Sequence, residues 1–87
     1  MSGKVEQVSK LDQRLTGLLA EVLQIPASTI TDDLAMAKID VWDSLKHMEL
    51  IAALEESFSI QLTFDDIVAM QNVCEIKRVL RHRGVAD

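Results

Sequence analysis

Apolar residues in the first quarter of the chain recur at steps of three and four, which is typical of one face of an amphipathic helix. We predict a first helix from about Val5 to Leu23, whose apolar stripe consists of Val5, Val8, Leu11, Leu15, Leu18, Leu19 and Val22. The helix should end before Pro26, because proline lacks the amide hydrogen needed to continue it and restricts the residue ahead of it.

The next segment, residues 25–43, has no sustained hydrophobic period. Connections longer than about 12 to 15 residues are uncommon in compact domains and are usually functional or fastened by their own side chains. We therefore predict a long loop with apolar anchors at Ile25, Ile30, Leu34, Ile39 and Trp42, the last packing on the first helix.

Helical periodicity returns after this loop and predicts a second helix from about Ser44 to Phe58. Asp43 is suited to cap its start, because a carboxylate can accept the unpaired amides of a first turn. The residues at helical spacing are Met48, Ile51, Leu54, Glu55 and Phe58. Leu50 and Leu54 extend the apolar stripe, and Glu49 and Glu56 are predicted on or beside the outer face.

Two further helix starts follow. Thr63 and Asp66 form a capping-box pattern ahead of a short third helix, and Asn72 and Glu75 repeat that spacing ahead of a last helix, which should end at Gly84. The alternating run SIQLTF, residues 59–64, is interpreted as an extended connector, since a lone strand has no partner. We predict a single all-α domain over residues 1–87, with an ordered core at about 5–83 and four helices.

The composition bears on where in the cell this domain is expected. The single cysteine, Cys74, cannot form an internal disulfide, and no secretion signal precedes the first helix. The most apolar segment is interrupted by Glu21 and is too short to span a bilayer. We expect a cytoplasmic monomer without membrane contact, in which Cys74 is a small buried helix residue.

Negative charge is concentrated in the middle of the chain. The net charge is −5, and residues 32–66 carry nine acids against Lys38 and Lys46. Such a surface repels nucleic acid and attracts basic patches on proteins, although a solvated helix face that only aids solubility is the commoner origin of a charge run.

Ser44 is the candidate for chemistry, because it stands at the predicted start of the second helix. A Ser44–His47 hydrolase is disfavoured: nothing orients the histidine, Asp43 is occupied as a cap, and we expect His47 to face solvent. A helix start does favour an attached phosphate, through its free amides and dipole, and Lys46 and His47 would add positive charge. Cys74 and two distant histidines do not make a metal site, so no metal is expected.

The stretch DSL, followed by MEL and IAALEESFSIQL, resembles the modification site and second helix of the acyl carrier protein family. The resemblance extends from about Leu11 to Arg81 and implies a four-helix bundle with a long first loop and a short third helix. It also implies a carrier rather than an enzyme. Ser44 would bear 4'-phosphopantetheine, installed from coenzyme A by a phosphopantetheinyl transferase, and acyl groups would be carried on its terminal thiol as thioesters.

The resemblance also assigns roles to the neighbours of Ser44. Asp43 and Leu45 would belong to the cofactor-binding site with Ser44: Asp43 would assist recognition by the transferase, and Leu45, like Met48, would offer apolar contact. Partner enzymes would be contacted through Leu45, Met48, Glu49, Glu55 and Glu56. Those partners would be an acyl-loading ligase or transferase and downstream synthase enzymes. The interior between the helices would correspond to the place where some family members shelter the acyl chain, and it is lined here by Leu15, Leu19, Leu50, Leu54 and Phe58.

Three residues beside Ser44 depart from the family pattern. Trp42 stands where fatty-acid carriers commonly have a small residue, and Lys46 and His47 stand where an acid or small polar residue is usual. These departures favour dedicated partners in a specialised biosynthetic pathway. Two alternatives stay open at this point, an aminoacyl or peptidyl carrier and an unmodified helical interaction domain with the same fold.

Overall fold

The computed structural model describes residues 10–85 and contains four α-helices in the predicted order. They are α1 (Lys10–Leu23), α2 (Ser44–Phe58), α3 (Phe64–Ala69) and α4 (Val73–His82). No β-strand forms among the described residues, where SIQLTF is a connector as predicted, so the all-α fold is confirmed. Residues 5–9 of the predicted first helix lie outside the described range.

The core is formed mainly by aliphatic side chains from α1, α2 and α4. Every fourth residue of α1 is buried, which aligns one side of the helix with the interior. Buried hydrophobic residues of the three helices are Leu11, Leu15, Leu19, Leu23, Leu50, Ile51, Leu54, Val73, Ile76, Val79 and Leu80. At the far end of α2, Arg14 of α1 donates to the Ser57 carbonyl at 2.6 Å and lies over the Phe58 ring.

The long connection between α1 and α2 is held in place by its backbone as well as by its side chains. It contains two 3-10 turns, Ala27–Thr29 and Met36–Lys38, and its predicted anchors Leu34 and Trp42 are buried. The carbonyls of Leu34 and Asp32 accept the first two amides of α4, from Val73 and Cys74, at 2.9 and 3.0 Å. These bonds satisfy donors that a helix start would otherwise leave unpaired.

Both later helices begin at the predicted caps. Thr63 and Asp66 form the capping box of α3, and Asn72 accepts the amide of Glu75 at 2.8 Å at the start of α4. Asp66 also pairs with Arg83, which joins the start of α3 to the end of α4. The hydrogen bond from the Thr63 amide and the Arg83 guanidinium lower the pKa of Asp66 below its ordinary value.

A nearly buried lysine ties the first helix, the long loop and the last helix together. Lys77 of α4 places its ammonium 2.7 Å from Asp12 of α1 and also pairs with Asp32 of the loop. Burial would lower the pKa of Lys77, but the hydrogen bonds to Asp12 and Asp32, with their charges, raise it overall. None of the helices between residues 10 and 85 is long and apolar enough to cross a membrane.

Candidate functional site

The start of α2 is fixed by the residue that precedes it. Asp43 has an extended backbone, and its carboxylate accepts the amide of Lys46 at 2.9 Å. Its carbonyl accepts the amide of His47 at 2.8 Å, which is the first bond of the helix. The predicted N-cap is therefore confirmed, and Ser44 becomes the first helical residue.

Ser44 is exposed to solvent at this position. Free amides and the positive end of the helix dipole lie at the start of α2, so a phosphate bonded to the serine oxygen would be electrostatically favoured there. Lys46, in the same turn of the helix, forms an ion pair with Glu49, and the two charged atoms are 3.3 Å apart. The site thus suits a phosphodiester on Ser44.

The prediction that His47 faces solvent is wrong. Its side chain is only 7% exposed and belongs to the buried face of α2. The indole N–H of Trp42 donates to its Nδ1 at 3.1 Å, and its Nε2 lies 2.9 Å from the carbonyl oxygen of Ile67. Because an indole N–H can only donate and a carbonyl can only accept, the imidazole is neutral with its hydrogen on Nε2.

The position of His47 has two consequences for Ser44. The ring uses both nitrogens for bonds within the protein, so it is not available as a base for a serine nucleophile. It also adds no positive charge beside the serine. The signal missed in the sequence is its spacing, since His47, Leu50, Ile51 and Leu54 follow the i, i+3, i+4, i+7 pattern of a buried face.

Trp42 is buried, as predicted for a loop anchor, and is 1% exposed. It belongs to the same core cluster as the leucines of α1, and its hydrogen-bonding partner is His47 of α2. Of the three residues that depart from the family pattern, Trp42 and His47 therefore lie inside the protein, and Lys46 is the one that reaches the surface.

Exposed apolar side chains flank Ser44 in the sequence and also occur on α3. Leu45 and Met48 are 68% and 53% exposed. The prediction that Met48 belongs to the apolar stripe facing the core is therefore wrong. Further exposed apolar side chains belong to Val41 in the loop and to Phe64 and Val68 in α3. A surface of this kind fits contact with another protein.

The three predicted docking acids differ in their surroundings. Glu49 and Glu56 are exposed on α2. Glu55 is half-buried, and its carboxylate accepts the amide of Leu62 at 2.9 Å, which fastens the connector between α2 and α3. Glu55 therefore has a structural role that the sequence did not reveal.

The prediction that Cys74 is buried is also wrong, because its side chain is exposed. The buried face of α4 consists of Val73, Ile76, Val79 and Leu80, and position 74 points away from it. Cys74 lines an open cavity of about 460 Å³ with Asp32, Asp33, Ala35, Lys38 and Asn72. Among the described residues, no group of three or more His, Cys, Asp or Glu side chains could hold a metal ion.

Comparison with known proteins agrees with this geometry. Residues 13–80 match the family model described as a phosphopantetheine attachment site. The chain belongs to the acyl carrier protein family. The solution structure of a holo acyl carrier protein from Geobacter metallireducens superposes with a TM-score of 0.73 at 27% sequence identity, over 82% of each chain.

Membership of the acyl carrier protein family settles the class of protein and its cofactor. Members of the family are carriers that interact with partner enzymes, and their prosthetic group is covalently attached 4'-phosphopantetheine. The exposed serine at the start of α2 fits this group, since attachment needs an accessible hydroxyl and a surrounding that tolerates a phosphate.

Proposed function

We propose that the chain is a single carrier domain that bears 4'-phosphopantetheine on Ser44 and carries acyl groups on the arm. The observation that supports this most directly is the exposure of Ser44 at the first position of a capped helix, within the matched residues. In the bound arm the terminal thiol supplies the chemistry, because it forms thioesters with carboxylic acids.

Attachment requires only a nucleophilic oxygen from this chain. The Ser44 oxygen forms a bond to phosphorus as a P–O bond of the coenzyme A diphosphate breaks, and adenosine 3',5'-bisphosphate leaves. The serine proton passes to a base of the phosphopantetheinyl transferase. No internal base is needed, which agrees with the engagement of both His47 nitrogens elsewhere.

Partner enzymes would dock on the surface beside the serine. Leu45 and Met48 offer apolar contact, and the exposed acids Glu49 and Glu56 attract basic side chains of a partner. We propose this surface for the transferase, for an acyl-loading ligase or transferase, and for downstream synthase enzymes. Lys46 departs from the family pattern and reaches the surface, which supports a specialised set of partners.

Intact mass tests the attachment site. Incubation with coenzyme A and a broad-specificity phosphopantetheinyl transferase is expected to add one prosthetic group to the wild type and none to Ser44→Ala. Ser28→Ala serves as a matched control, because Ser28 is also exposed but lies in a 3-10 turn of the loop, and it should accept the group fully.

Two results would contradict the proposal. An unmodified wild type would favour an interaction domain that kept the fold without the arm. Modification of Ser44→Ala would place the attachment elsewhere. Loading of the modified chain with amino acids in preference to acyl groups would keep the carrier role and change the class of cargo.

A further inference from the structure

A buried polar bridge involves residues on both sides of the exposed Ser44 and joins three segments of the chain. Trp42 in the loop donates to His47 in the first turns of α2, and His47 contacts the carbonyl of Ile67 in α3. We call these three residues the Trp42–His47–Ile67 bridge. Ser44 lies between its first two members, two residues after Trp42 and three before His47.

The bridge fixes the backbone on both sides of the serine. Before Ser44, the indole of Trp42 is 1% exposed and its N–H is bonded, while Asp43 bonds the amides of Lys46 and His47. After Ser44, the His47 ring is held at both nitrogens. The side chain between them is left exposed. This arrangement presents an exposed serine between two residues whose side chains are held by hydrogen bonds.

The bridge also links α3 to the helix that begins at the serine. Within residues 10–85, no other hydrogen bond joins α2 directly to α3. Phe64 and Val68 are the exposed apolar residues of α3, the helix that this bond joins to α2. A buried donor or acceptor that loses its partner costs free energy of folding. Removal of the Trp42 or the His47 side chain should therefore disturb the other residue.

We propose that Trp42 and His47 are positioning residues for attachment of the arm. They hold Ser44 and α3 in the arrangement that the phosphopantetheinyl transferase uses, and so they set the rate of modification rather than its site. This inference rests on the proposed attachment at Ser44. A displacement of a reacting atom by about 1 Å can slow a reaction roughly 100-fold, which makes a rate the sensitive readout.

The test compares steady-state modification of the wild type, Trp42→Phe, His47→Leu and the double variant. For each bridge variant we expect kcat to fall by about 10- to 100-fold, with KM changed by less than about threefold, because Leu45, Met48 and Glu49 remain exposed. The kcat of the double variant should lie within about twofold of the kcat of the slower single variant, because both substitutions break the same bond.

A structural control separates positioning from loss of stability. Val79→Ala removes buried volume from α4, outside the bridge, and should keep the wild-type kcat at a temperature where all variants are folded by circular dichroism. Trp42 is the single tryptophan of the chain, so its one indole N–H signal in NMR reports the bridge directly. That signal should shift in His47→Leu and stay in place in Val79→Ala.

Several outcomes would overturn the inference. A wild-type kcat in both Trp42→Phe and His47→Leu would show that the bridge does not position the serine. If kcat fell as much in Val79→Ala as in the bridge variants, the slower modification would be explained by a general loss of stability. Independent, additive losses in the double variant would mean that the two residues act separately.

The same experiment distinguishes a failure of the positioning role from a failure of the proposed attachment at Ser44. Complete modification of the wild type together with unslowed bridge variants rejects the inference alone. A wild type that accepts no arm at all rejects the attachment at Ser44 and the inference with it. If His47→Leu does not fold, Trp42→Phe decides, because it retains an aromatic ring and removes the indole donor.

Discussion

At the level of single residues, burial in α2 depends on position more than on polarity. His47 is inside because it occupies the same helical face as Leu50 and Leu54, whereas the apolar side chains of Leu45 and Met48 are outside. A buried histidine is tolerated here because both of its nitrogens have partners. The sequence shows the face but not the partners, since Ile67 is 20 residues away.

Leu54 provides the residue-scale test of the core. Its side chain has no exposed surface, so Leu54→Ala should lower the free energy of unfolding by about 2 to 5 kcal/mol, measured by denaturant titration. Glu56→Ala on the exposed face of the same helix should change it by less than about 0.5 kcal/mol. A loss below about 1 kcal/mol at Leu54 would mean that the interior is not packed around this residue.

At the level of secondary structure, the helix starts could be predicted because capping is local. Asp43, Thr63 and Asn72 each act on amides three residues away, so the signal lies within one short stretch of sequence. The apolar residues of the long loop predict that it is anchored to the core. Its backbone bonds to α4 could not be predicted, because they join residues about 40 positions apart and leave no local pattern.

The link between α3 and α4 should depend on pH. The folded pKa of Asp66 is lowered, so the stability that its charge contributes is present above the unfolded value of about 3.9 and is lost as pH falls through the folded value. At pH 7, Asp66→Asn should therefore be less stable than the wild type. The difference should be at most about 1 kcal/mol, because Arg83 is partly exposed and its pair with Asp66 is screened.

Chemical denaturation at several pH values measures this dependence. The gap between wild type and Asp66→Asn should narrow steadily below about pH 4. Asp65→Asn, a substitution of the exposed neighbouring carboxylate, is the matched control and should be nearly neutral at pH 7. A gap that stays constant down to the acid transition would show that the charge of Asp66 is not involved.

At the level of the whole molecule, the distribution of charge matters more than its sum. If the acids of α2 steer partners, Glu56→Lys should slow association with the transferase by about tenfold at about 0.01 M salt and reduce its salt dependence. Stopped-flow measurements at about 0.01 M and about 0.15 M salt would show the effect.

The control for steering makes the same change of charge on another helix. Glu21 is exposed on α1, and Glu21→Lys should leave association nearly unchanged. Equal slowing by both substitutions would indicate an effect of net charge alone and would remove the docking role from α2. Glu55 is unsuited to this test, because its reversal would also release the amide of Leu62.

Because Cys74 is exposed, its thiol can serve as an internal reference when the thiol of the attached arm is titrated. The chain has one cysteine, and the arm would bring a second thiol. A colorimetric thiol titration of the native protein should therefore read one equivalent before attachment and two afterwards, then one again when the arm is acylated. Buffers without reductant would let these sulfurs oxidise into disulfide-linked pairs of molecules, so samples need protection from air.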